Sequence, residues 1–199
     1  MNQELYDVFL SYRHKPLDGV ITQQTFNILE SFRLPKALRD QGYHGVRRVF
    51  RDTEELPVSR ILTQTIDAAL RTTKCLVVVC STDTPSSEWV DREVAVFIEL
   101  GKAEQIYPLL ITGTPETSFP ASMKLIPDIM DRVIDVRAPG NDAKAIVANI
   151  RRSMYPVIAM VSGCEEDDLR REHNLEVRRR TAMLAGGTAL LFAFVAAVS

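Results

Sequence analysis

No strong charge bias, no dense cysteine set and no glycine-rich phosphate loop occurs in these 199 residues, and each absence removes a class of function. The 24 Lys and Arg stand against 26 Asp and Glu, giving a net charge of -2 and a pI near 6.0, and the cations are spread along the chain. Phosphate backbones are held by concentrated positive charge, so no nucleic-acid partner is expected. Three cysteines, Cys75, Cys80 and Cys164, are too few for a full disulfide framework, and two of them sit in one apolar run as small apolar residues. A reducing cytosol is the compartment this suggests. His14, His44 and His173 are isolated from the cysteines, and HExxH is absent, so neither a metal site nor a resident cofactor is expected. GxGxxG, GxxxxGK[ST] and GxSxG are missing too, which removes the physical requirement of a phosphate cradle or an elbow serine. Met1-Asn2-Gln3-Glu4 lacks the basic-then-apolar order of an export signal, so the globular part is expected to stay inside the cell.

What is present is globular composition, 46% hydrophobic and 25% charged, in a pattern of alternating short apolar runs and amphipathic helices. Tyr6 to Tyr12 reads as a first strand, followed by the exposed loop Arg13-His14-Lys15-Pro16. Ile21, Thr25, Ile28, Leu29 and Phe32 recur at helical spacing, and Pro35 opens a second short helical piece to Arg39. Val46 to Phe50 alternates weakly and is polar enough for an edge strand. A loop from Arg51 to Ser59 follows, and Ile61, Leu62, Ile66, Ala69 and Leu70 give a helix with Ser59 available as its cap. Cys75-Leu76-Val77-Val78-Val79-Cys80 has the unbroken apolar character of a strand buried on both faces.

The helix carrying Trp89 and Glu93 runs to about Leu100 and stops at Gly101. Ile106 to Ile111 is a further strand, weakened by Pro108, and Val133 to Val136 a brief last one. A final helix from Asp142 is interrupted or ended near Pro156. Five alternations of strand and helix predict an α/β fold with a five-stranded parallel sheet covered by helices on both faces.

The chain is organised around Ser86-Ser87-Glu88-Trp89-Val90-Asp91-Arg92-Glu93. A spacing of four puts Trp89 and Glu93 on one helix face, in the first turns after the central strand. In open α/β sheets ligands settle outside the carboxyl ends of the strands, which is where these two side chains stand. A tryptophan there is more often core and a glutamate more often solvated, so composition alone makes this a candidate only. A phospho-acceptor receiver has a similar sheet, but it needs paired carboxylates at the end of the first strand, where Ser11-Tyr12-Arg13 stands instead.

The order Asp7-Val8-Phe9-Leu10-Ser11-Tyr12-Arg13, then Val49-Phe50-Arg51-Asp52 with Leu56, then the valine-rich strand, then Ser87-Glu88-Trp89 through Glu93, resembles a bacterial-type Toll/interleukin-1 receptor (TIR) domain over roughly Leu5 to Val157. The resemblance implies a flavodoxin-like, three-layer domain with strand order 2-1-3-4-5, whose members often cleave NAD between nicotinamide and ribose using the glutamate of a W-x-x-x-E element. Glu93 is then the catalytic residue. Trp89, Arg13, Tyr12, Ser11 and Ile61 fall on the substrate-binding side, Trp89 as a flat wall for ribose or base and Arg13 as a phosphate contact. The chemistry asks for negative charge near a ribose that acquires oxocarbenium character, with nicotinamide leaving as a neutral amine. A carboxylate buried beside an indole also needs a balancing donor.

Two positions depart from the family pattern. Ser59 stands where glycine is common and Ile61 where an aromatic residue often meets the nucleotide. The resemblance further implies assembly through TIR–TIR contacts into a homo-oligomer, with the cleft completed by a neighbouring copy. The rival readings are an adaptor that recruits other TIR domains without turnover, and a nucleoside deoxyribosyl-transfer enzyme of similar sheet topology.

Beyond the domain, residues 1–160, the composition changes. Residues 161–180 form a charged linker or exposed helix, and residues 181–199 are uncharged and close to the ~20 residues that span a bilayer. Arg178-Arg179-Arg180 directly before them predicts a C-terminal membrane helix with the domain on the cytoplasmic side. The alternative is a hydrophobic terminal helix packed on the domain or in a dimer. A chain ending within such a segment is expected to continue into a further domain.

Overall fold

The computed structural model describes the backbone of residues 6–51 and 60–198, and the side chains of residues 6–51 and 66–183. The elements are β1 (Tyr6–Ser11), α1 (Pro16–Ser31), α2 (Lys36–Asp40), β2 (Val49–Arg51), α3 (Arg60–Thr72), β3 (Thr73–Cys80), α4 (Glu88–Glu99), β4 (Ile106–Leu110), α5 (Pro115–Ser118), β5 (Ile134–Asp135), α6 (Ala143–Ser153), α7 (Tyr155–Ser162) and α8 (Glu166–Val198), with short 3-10 turns between some of them. The five strands are parallel and stand in the order β2-β1-β3-β4-β5, as expected.

Strand parity divides the core into two layers. Val8, Leu10, Val77 and Val79 face Ile21 and Leu29 of α1, Ile146 and Ile150 of α6, and Val157 and Ile158 of α7. Phe9, Leu76 and Val78 face Ile66 and Leu70 of α3 and Val90, Val94 and Phe97 of α4. Val77, Val78 and Val79 are all fully buried, which explains why β3 shows no polar alternation: both its faces are covered. Each such side chain removed from water is worth about 1.5–3 kcal/mol.

Several boundaries differ from the expected ones for local reasons. Helix α1 begins at Pro16, five residues before Ile21, because proline's fixed φ suits a first helical position and its missing N–H is not needed there. Strand β2 is only three residues long and pairs with β1 alone, as an edge strand. Pro108 nonetheless lies in a strand paired on both edges. Ile111 donates to Cys80 of β3 while Val136 donates to Leu110, so the even positions of β4 turn towards β5. Strand β5 begins opposite Leu109, beyond Pro108, so the absent N–H breaks no ladder bond. The expected last helix is two, α6 capped by Asp142 and α7 opening on Tyr155-Pro156.

The charged stretch after residue 160 takes its helical alternative. Leu169 of α8 is fully buried, His173 stacks on Phe32 at 5.4 Å, and the Arg170 guanidinium lies 4.7 Å from the Tyr155 ring centre, so this part of α8 is docked on the domain. The expected membrane span through residues 181–199 gains no support: among the described residues no helix is long and apolar enough to cross a membrane. Most of that apolar run, residues 184–199, has side chains outside the described residues, as do Ser59 and Ile61.

Candidate functional site

The site grows from the carboxyl ends of β1 and β3, neighbouring strands whose chains leave towards opposite faces of the sheet. Ser11 ends β1 on the face shared with Phe9, the side covered by α3 and α4. Helix α4 starts just after β3, with the Ser87 hydroxyl accepting from the Val90 N–H at 3.3 Å as its cap. Its spacing brings Val90, Glu93, Val94 and Phe97 onto the buried face.

That phase carries a carboxylate inward. Glu93 is 5% exposed, and the Ser11 hydroxyl donates to its Oε2 at 2.5 Å. A short O–H···O bond to a carboxylate is the strong kind, so Ser11 supplies a balancing donor to the buried Glu93. Trp89 is half-buried against the same apolar layer, with the Arg92 guanidinium 5.4 Å from its ring centre and Arg92 paired to Asp67 of α3 at 3.4 Å. Trp89 and Glu93 line one small cavity with Ile66, Asp67, Leu70 and Val96, of about 10 Å³, room for no more than one water.

The other expected site residues divide. Tyr12 is on the opposite face of the sheet, in the α1 layer, stacked on His14 at 4.6 Å, so strand alternation separates it from Glu93. Arg13 reaches across to the segment before α4: its Nη1 donates to the Asp83 carbonyl at 2.6 Å and to the Ser86 hydroxyl, with the Asp83 carboxylate 3.9 Å away. Ile61 lies in the first turn of α3, and its side chain is outside the described residues.

Sequence reasoning missed Asp18. It sits in the first turn of α1, is 2% exposed, and accepts from the Ser81 hydroxyl at 3.0 Å. Burial pushes its carboxyl up to about 6, opposed by the Ser81 hydrogen bond. A signal was there to find: Asp18, Ile21, Thr22, Thr25 and Leu29 form one buried stripe, so the acid is in phase with the apolar face. Cys75 and Cys80 are buried free thiols, both held well above the ordinary thiol range by burial, and among the described residues no cluster of metal-ligating side chains occurs.

Comparison with known proteins agrees with this architecture. The family description "Thoeris protein ThsB, TIR-like domain" matches residues 9–112, just over half of the chain. A curated relative, the NAD(+) hydrolase ApTIR of an Actinoplanes species, is 22% identical over 213 aligned residues, and the match takes in 98% of this chain but only 28% of that protein's length. Among solved structures, the TIR domains of the activated Roq1 resistosome bound to the pathogen effector XopQ are 19% identical, covering 86% of this chain and 99% of that one with a TM-score of 0.40. A prokaryotic SEFIR domain is 13% identical, covering 75% and 92%, with a TM-score of 0.44. From β1 through β4, with the buried glutamate of α4 inside the matched span, the chain belongs to the TIR-like domain family of the Thoeris protein ThsB.

Proposed function

We propose that this chain cleaves NAD at the bond between nicotinamide and ribose, with Glu93 as the catalytic carboxylate. The observation that carries the reading is the buried Glu93, held by the Ser11 hydroxyl at 2.5 Å at the carboxyl edge of β1 and β3. A carboxylate kept out of water is worth far more to a developing ribosyl cation than one in solvent. Nicotinamide departs as a neutral amine with the bonding pair, so the leaving group needs no strong acid, and water or an internal nucleophile of the substrate completes the reaction at ribose. Trp89 would wall the sugar or base, and Arg13 would meet a phosphate. The named activity of the Actinoplanes relative supports the choice of substrate, although the chain spans only 28% of that protein.

The cavity lined by Trp89 and Glu93 between α3 and α4 measures about 10 Å³, smaller than a dinucleotide. Activity is therefore expected only once the cleft opens or a second copy completes it through TIR–TIR contacts. The rival is a non-catalytic adaptor that recruits other TIR domains. Tethering through residues 181–199, with the domain on the cytoplasmic side, enters this proposal from the sequence alone, and fractionation with and without those residues checks it: a full-length chain that needs no detergent contradicts the tether.

The experiment is nicotinamide release from NAD by concentrated protein, comparing the native chain with Glu93→Ala and Glu93→Gln. Both variants are expected to lose at least about a hundredfold in turnover, the scale on which removal of one transition-state stabiliser reads out. Equal release from native and variant chains would remove Glu93 from the site. No release from the native chain at any concentration leaves the adaptor.

A further inference from the structure

A cavity of about 400 Å³ opens on the α1 and α6 side of the sheet, the face away from α4. Three guanidinium groups line it, each from a different segment: Arg33 follows the end of α1, Arg151 lies in the last turn of α6 and Arg180 belongs to α8. The protein as a whole carries a net charge of -2, so these cations are a local concentration against the overall sign. The carboxylate that lines the same hollow, Glu176, is already engaged: it pairs with Arg180 and accepts the Lys36 N–H at 3.2 Å. Among the described residues the Arg33 and Arg151 guanidinium groups have no hydrogen bond or ion pair. Like charges around one hollow repel, and an anion seated between them turns that repulsion into attraction.

The remainder of the hollow suits a ring better than a bare ion. Ile28, Phe32 and Val177 give it an apolar wall. Phe32 is half-buried and stacks on His173 at 5.4 Å, and Tyr155 meets both rings edge-on, so the wall is fixed before anything binds. Asn27 accepts from Gln23 through its carbonyl oxygen and keeps its amide N–H groups for a further acceptor. An apolar wall joined to a few placed polar groups is how small-molecule sites of this volume are built. The polar groups here are guanidinium forks, which match phosphate oxygens in pairs.

We propose that this hollow binds a small phosphorylated molecule carrying a flat ring, of the nucleoside monophosphate class, with its phosphate held by Arg33 and Arg151 and its ring on the Phe32 wall. Val177 and Arg180 belong to α8, whereas Ile28 and Arg151 belong to α1 and α6, so the ligand joins α8 to the domain. Its binding therefore tightens that docking. The site is separate from Glu93 and does not rest on the NAD-cleaving reading.

The test is calorimetric titration of the full chain with AMP, ribose phosphate and inorganic phosphate. AMP is expected to bind at least about tenfold more tightly than either of the others, the scale of one base stacked on an aromatic side chain. Arg33→Ala and Arg151→Ala are each expected to weaken AMP binding at least about tenfold, as loss of a charge-assisted hydrogen bond does. Both side chains are exposed, so the variants should keep the native urea midpoint. Glu93→Ala, altered on the other side of the sheet, should bind AMP as the native chain does. Hydrogen exchange over residues 173–180 should slow at least about twofold when AMP is added to native protein, and should not respond in Arg33→Ala. AMP binding that persists in both arginine variants, or that is lost in Glu93→Ala, puts the nucleotide elsewhere and overturns the inference. So does the absence of AMP binding at millimolar concentration. Inorganic phosphate binding as tightly as AMP overturns the recognition of a ring, and unchanged exchange over residues 173–180 overturns the joining of α8.

Discussion

At the scale of single residues, one hydroxyl helps a carboxylate live in the core. Ser11 is 1% exposed and its hydroxyl donates to Glu93. Ser11→Ala removes one hydrogen-bond donor from the buried glutamate, a change that costs about 1–3 kcal/mol. Urea unfolding of Ser11→Ala should therefore show a lower midpoint with an unchanged slope. Both residue types were readable from the sequence, and so was the demand for a donor near Glu93. Which donor meets it was not readable, because Ser11 and Glu93 are 82 positions apart and meet only through the β1–β3 pairing and the docking of α4.

At the scale of elements, α4 shows how a local signal and a tertiary contact cooperate. Ser87 caps its first turn, and the positions Val90, Glu93, Val94 and Phe97 set its buried face. Ser87→Ala is expected to destabilise the protein by about 0.5–2 kcal/mol, read as a fall in the denaturant midpoint. The effect should be largest at the start of α4, where exchange of residues 88–91 reports it. The expected helix after Ser87 and its stop at Gly101 agree with the structure, since capping hydroxyl and αL glycine act within a few residues. The separation of α6 from α7 follows equally local rules, Asp142 accepting from Lys144 and Ala145 at 3.2 Å and Pro156 suiting the first turn of α7. Strand β2 illustrates the limit: Val46 to Phe50 alternates, but only Val49–Arg51 finds a partner, and pairing is set by where β1 runs.

At the scale of the whole molecule, the buried Asp18 makes global stability depend on pH. Its folded carboxyl titrates at about 6 against 3.8 for the ordinary group, so between those values the native state holds a proton that the unfolded chain has lost. Stability contributed by this group is then highest at low pH and falls as pH rises through about 6. The loss is on the order of 3 kcal/mol, counted from the shift at about 1.4 kcal/mol for each pH unit. Urea midpoints measured from pH 5 to 7.5 should fall more steeply for native protein than for Asp18→Asn, whose curve lacks this component. The direction is opposite to the usual paired carboxylate, which is lost on acidification. A docked α8 adds to the same cooperative unit through Leu169, His173 and Arg170.

By itself the sequence determined the succession of strands and helices, the buried character of β3, the pairing of Trp89 with Glu93 on one helix face, and a motif set sufficient to point to the fold family. Those features depend on periodicity, capping and fixed spacing, which operate within a turn or a strand. Only the tertiary structure decided that Tyr12 faces away from Glu93, that Ser11 is the donor to it, that Arg13 is committed to the Asp83–Ser86 segment, and that Asp18 is buried beside Ser81. The Ser11, Arg13 and Asp18 contacts are meetings of side chains far apart in the chain at the crossing point between two strands. No local rule encodes such a meeting, because strand order and helix docking alone bring the partners within hydrogen-bond reach.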